Sequence, residues 1–159
     1  MVINMNSEFL IRKAEAVDKQ TLVEFNYNMA LETEKRKLNL DLLDKGVDNM
    51  LNDSDKGFYL VCEHDKEGIV ASLMITKEWS DWRNKNFWWI QSVYVIKEFR
   101  RKGLFKKLYE HVNAIGEENG NCCGFRLYVE KENFIAQRTY LSMGMKEAYY
   151  QMYEVDFCE

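Results

Sequence analysis

The sequence predicts an α+β domain: a mixed sheet of six to seven strands with helices on both faces and a splay between the fourth and fifth strands. Three observations carry that reading. Short alternating or apolar runs are interleaved with segments whose apolar residues recur three and four apart. The most apolar run, Phe87 to Ile96, leads through the basic turn Phe99-Arg100-Arg101-Lys102-Gly103 into Leu104, Leu108, Val112 and Ile115, which share one helix face. The chain has 159 residues, 47% of them hydrophobic, and shows no linker, repeat or low-complexity segment. Residues 1–159 therefore read as one domain with a substantial core.

Taken in order, Phe9 to Arg12 form a first strand, and Asp18 is placed to cap a helix carrying Leu22, Val23, Phe25 and Met29. Leu31 to Lys37 is a charged connection. Leu43, Val47, Met50 and Leu51 mark a second helix that ends in the turn-rich stretch Asn52 to Gly57. Phe58–Glu63 and Gly68–Thr76 read as paired strands, and Lys77–Asn86 as a connection into the apolar fourth strand. After the helix from Leu104, alternation over Phe125 to Val129 gives a fifth strand. Asn133 caps a helix from Phe134 to Met143 that Gly144 stops, and Ala148 to Phe157 alternates as a last strand.

Strand, basic turn and helix in that order present the first N–H groups of the helix, its positive dipole end and several cations to one place, which suits a phosphate. The same residues also fit a solvated basic loop that merely starts a helix. Net charge is −4, so the basic turn is local and the chain lacks the extended positive face of a nucleic-acid binder. No run approaches the roughly 20 apolar residues of a membrane span, and Met1 to Asn6 has no leader-like pattern, so the expectation is a cytoplasmic protein with no membrane partner. Cys62, Cys122, Cys123 and Cys158 have no paired metal-ligand spacing, and His64 and His111 stand far apart. Reduced, mostly buried thiols and no metal are expected.

Two motifs sharpen this. Arg100-x-x-Gly103-x-Phe105 after an apolar strand resembles the pyrophosphate loop of the Gcn5-related N-acetyltransferases, and Asn133-x-x-Ala136-x-x-x-Tyr140-x-x-x-Gly144-Met145 is similar to a second signature of that superfamily. The resemblance implies acetyl-CoA as co-substrate and direct acetyl transfer to a primary amine of a small or amino-acid-like molecule, and the acidic net charge with the aromatic and acidic loops points to a cationic one. It places the pantetheine arm along Val93, Tyr94 and Val95 and the diphosphate on Arg100, Arg101, Lys102, Gly103, Leu104, Phe105 and Lys106. It makes Tyr140 the general acid, with packing as the alternative, and lets Asn133 bond the pantetheine arm as well as cap its helix. Phe105 departs from the family's Gly or Ala and is expected to turn its ring toward the helix–sheet contact. Gln91 stands where many relatives carry a glutamate base, and at neutral pH it is no base.

The base is accordingly sought in Glu34 or Glu78, acting through water. The acceptor would be held by Glu32, Glu34, Glu78, Trp79, Trp82 and Gln91, with carboxylates and indole faces around a cationic amine. Each of these carboxylates also fits an ordinary solvated surface. A protein or peptide N-acetyltransferase and a non-catalytic acyl-CoA sensor are the alternatives, and both a monomer and a homodimer are compatible with the sequence.

Overall fold

A computed structural model describes residues 3–5 and 8–158. They belong to two compact units, Met1–Leu127 and Tyr128–Glu159. The first holds a six-stranded sheet in the order β1 (Ile3–Met5), β2 (Phe9–Lys13), β3 (Gly57–His64), β4 (Gly68–Ser80), β5 (Lys85–Val95) and β6 (Cys122–Arg126). Neighbours are antiparallel except β5 and β6. A parallel pair needs a crossover, and α3 (Leu104–Glu118) supplies it. The expected mixed sheet is present; the strand at Ile3–Met5 carries too little pattern to be seen in sequence.

One face is covered by α1 (Lys19–Glu34) and α2 (Leu40–Asn52), whose Leu22, Val23, Val47 and Met50 pack on Tyr59 and Val61 of β3. Leu60, Leu73 and Ile75 alternate to the opposite face, and the α3 stripe Leu104, Leu108 and Val112 is buried with them. There Trp88 meets Phe58 and Phe125 at centroid distances of 5.3 and 6.2 Å. Gly116 permits the close approach of α3 to β6, since a Cβ there would lie 2.5 Å from Phe125 Cζ.

Several expected boundaries move. Residues 31–34 are not a connection but the last turn of α1, closed by Lys35 in the left-handed region (φ 55°) with Arg36 N–H donating to Ala30 O at 3.2 Å. Asp18 does not cap α1 with its side chain. Its carboxylate instead accepts from Arg12 at 2.7 and 3.0 Å and from Glu15 N–H at 2.7 Å. The Arg12 guanidinium holds that carboxyl below its ordinary range against the opposing effect of burial. Lys77–Asn86 is likewise no loose connection: β4 and β5 extend through it and are joined by residues 81–84.

In the second unit, α4 (Phe134–Ser142) starts with Asn133 Oδ1 accepting from Ala136 N–H at 3.1 Å. It ends as expected: Gly144 is left-handed (φ 87°), Met145 N–H donates to Tyr140 O and Gly144 N–H to Leu141 O, each at 3.1 Å. The expected last strand is absent, for residues 145–158 hold neither helix nor strand, and Tyr149 and Phe157 are 97% and 91% exposed. Alternation of apolar and polar residues is compatible with a half-buried strand but does not by itself form one. Among the described residues no helix is long and apolar enough to cross a membrane.

Candidate active site

The two halves of β5 differ. Its first half pairs on both sides, with β4 and, from Asn86↔Cys122 to Trp89↔Arg126, with β6. Pairing with β6 stops there although β5 runs on to Val95, so the expected splay lies beyond Trp89. In the second half the β4 register steps from Met74↔Gln91 to Ser72↔Tyr94, which sets Ser92 and Val93 together against Leu73. Ser92 is left-handed at φ 49°. This bulge changes the facing of the residues after it. Trp88 and Ile90 face α3, whereas Tyr94, which simple alternation would send the same way, turns to α1 and lies 5.0 Å from Phe25 between ring centroids. No sequence signal marks the bulge, because Ser is an ordinary strand-tolerant residue.

Beyond β5 a short 3-10 turn, Lys97–Phe99, leads to Arg101 (φ 63°) and Gly103 (φ 75°), both left-handed. Gly103 is the N-cap of α3, and nothing beyond its own stretch of chain lies within 4 Å of where its Cβ would stand, so conformation and not space calls for glycine. Lys107 N–H bonds Gly103 O at 3.1 Å; the N–H groups ahead of it, Leu104 and Lys106 among them, have no carbonyl four residues back in the helix. Lys102 and Lys107 lie over Phe99 and Phe9 at 4.5 and 4.8 Å, flanking this turn with cations. Phe105 is half-buried, its ring 6.5 Å from Tyr109, consistent with a side chain turned along the helix.

Arg100 is held otherwise. Its Nε donates to Val95 O at 2.8 Å and its Nη2 to Glu32 Oε2 at 2.6 Å, while Tyr94 OH donates to Glu32 Oε1 at 3.0 Å. Burial opposes the charge on Glu32, but the hydrogen bonds from Arg100 and Tyr94 outweigh it and keep the carboxyl below its ordinary range. Burial, and next the bond to Glu32, push the Tyr94 phenol up. Glu32 is therefore no open carboxylate on a flexible connection.

The other acceptor candidates are held by different elements. Glu78 is a strand residue whose carboxylate is bonded by Arg126, and Arg126 in turn lies 3.7 Å from the Phe87 ring centre. Trp79, next along β4, alternates to the opposite face and is 56% exposed, and Trp82 stands in the hairpin turn. Glu34 is exposed at the end of α1. Gln91 donates to Thr76 Oγ1 at 2.8 Å on the α1 side of the sheet. Thr76 and Arg126, the partners that fix Gln91 and Glu78, escape sequence reasoning because cross-strand register is not written in one strand alone.

In the second unit Tyr140 is half-buried and burial raises its phenol pKa, while the exposed Asn133 is engaged as a cap. A cavity of about 650 Å³ elsewhere, between Lys13, Phe58, Trp88 and His111, contains none of the candidate residues and so does not mark the site. Only Cys62 of the cysteines is buried, its thiol pushed up to about 11, so the expectation of mostly buried thiols fails; Cys122 and Cys123 are half-buried and Cys158 exposed. No group of three metal-ligating side chains occurs among the described residues.

This arrangement has solved counterparts. A possible acetyltransferase from Clostridium difficile 630 is 48% identical, with 96% of this chain and 100% of that chain covered and a TM-score of 0.88. Glucosamine-6-phosphate N-acetyltransferase from Arabidopsis thaliana (23% identity, 92% and 97% covered, TM-score 0.71) and AAC(6')-Iy in complex with the bisubstrate analog CoA-S-monomethyl-acetylneamine (16% identity, 96% and 100% covered, TM-score 0.73) share the fold. None of the curated proteins matches the chain. The acetyltransferase (GNAT) family model matches residues 22–145, and the chain belongs to that family.

Proposed function

We propose that residues 1–159 act as one acetyl-CoA-dependent N-acetyltransferase domain that transfers acetyl directly to a primary amine of a small substrate. The observation that carries the reading is the half-open strand: β5 loses β6 after Trp89, then delivers the chain into a left-handed turn at the start of α3. Backbone groups of Val93, Tyr94 and Val95, of which the Val95 carbonyl already accepts from Arg100, then lie along the path of a pantetheine arm and its amides, and the turn between Arg101 and Lys106 suits a diphosphate.

The amine nitrogen attacks the thioester carbonyl carbon, an oxyanion forms and is met by backbone N–H, and the C–S bond breaks as the carbonyl returns. Tyr140, assigned by its motif, gives its proton to the thiolate; a phenol is protonated at neutral pH, the state a donor needs, and burial pushes its pKa further up. Gln91, fixed by Thr76, orients the acceptor and removes no proton. The amine proton leaves through water, with Glu34 as the accessible carboxylate. Glu78, anchored by Arg126, and Trp82 at the hairpin belong to the acceptor side of this reading.

Thiol release from acetyl-CoA across a panel of cationic, amino-acid-like and neutral amines tests it: amine-dependent release is expected, and Tyr140→Phe should lower kcat about a hundredfold at nearly unchanged acetyl-CoA affinity. A second reading, an acyl-CoA-binding module without catalysis, is favoured by the lack of a carboxylate at Gln91. Tight CoA binding with no release for any amine would select it.

A further inference from the structure

We infer that Glu32, on the helix flanking the acceptor side, is a positioning residue for the donor loop and not an acceptor ligand; this rests on the acetyl-CoA reading above. One carboxylate holds two parts of the cofactor path together. Its Oε2 takes Arg100 Nη2 at 2.6 Å, at the first residue of the turn, and its Oε1 takes Tyr94 OH at 3.0 Å, just past the bulge. Arg100 closes the arrangement by bonding Val95 O at 2.8 Å and lying 5.5 Å from the Tyr94 ring centre.

The turn needs such a hold. Arg101 is left-handed without being glycine, a conformation costing about 1–2 kcal/mol, so the segment keeps it only if its neighbours fix it. Arg100 is the residue immediately before, and its guanidinium is tied at both ends. Each Glu32 oxygen already takes one of these bonds and its charge is matched by Arg100, so the carboxylate offers a cationic amine no unbalanced charge. α1 therefore reports to the donor loop, and loss of Glu32 lets Arg100 and Tyr94 separate from it while the chain's core, which excludes Glu32, remains.

The test measures CoA binding by calorimetry and the two KM values for the parent, Glu32→Gln, Glu32→Ala, Arg100→Ala and the double variant, with exposed Glu24→Ala on the same helix as the charge control. Glu32→Ala should weaken CoA and raise the acetyl-CoA KM about tenfold, with acceptor KM unchanged. Glu32→Gln, which keeps an oxygen for Tyr94 but loses the charge, should fall between. In the Arg100→Ala background the Glu32 effect should shrink to less than about twofold, a coupling that a general loss of folding would not give. A parent that binds CoA, with Glu32→Ala binding equally well or failing only in acceptor KM, overturns this inference and leaves the proposed function standing. A parent that binds no CoA overturns both.

Discussion

The two halves of β5 teach different things about what a strand is for. From Asn86 to Trp89 it is flanked on both sides, its inward ring Trp88 is 4% exposed, and its pairing is regular apart from a shift at Asn86/Phe87. From Gln91 to Val95 it is flanked by β4 alone, carries a left-handed serine, and its phenol is tied to a helix by a carboxylate. The first half holds the sheet together. The second gives up one ladder of hydrogen bonds, and an unpaired backbone edge is what an amide-bearing ligand can pair with.

Substitutions in the two halves should therefore separate stability from binding. Trp88→Ala, which empties a site between Phe58 and Phe125, should cost about 3–5 kcal/mol of unfolding free energy by denaturant titration, with CoA affinity of the folded fraction little changed. Gly103→Pro does the reverse. Proline cannot adopt φ 75° and removes an N–H, so CoA affinity should drop about a hundredfold or more while the protein stays folded by circular dichroism. Ser92→Val is the mild probe: a β-branched residue at φ 49° should cost about 1–2 kcal/mol and, by disturbing the bulge that turns Tyr94, weaken CoA binding several-fold. Equal losses of stability and binding in all three would erase the distinction between the halves.

Much of this was legible in the sequence. Helical spacing found α2 and α3, apolar runs flanking a polar turn found β3 and the start of β4, and Asn133 with Gly144 marked both ends of α4, because caps, turns and periods are local chemistry. The two motifs gave the family. What stayed hidden depends on partners far along the chain. Glu32 reads as a solvated carboxylate until Arg100 is seen 68 residues away, and Glu78 does so until Arg126 is seen beside it. The extra residue at Ser92 and Val93 is invisible because it is defined against Leu73 of another strand. Ala148 to Phe157 fails in the opposite sense, with a clear strand pattern and no strand.

The central claim is that the open half of β5 and the turn after it bind the acyl donor. Backbone hydrogen exchange with and without CoA tests it most directly. Slowed exchange is expected over Val93 to Val95 and Arg101 to Lys106, with Asn86 to Trp89 unchanged because its ladders are already made. Protection confined to Asn86–Trp89, or CoA binding that leaves residues 93–106 as they were, would contradict the account.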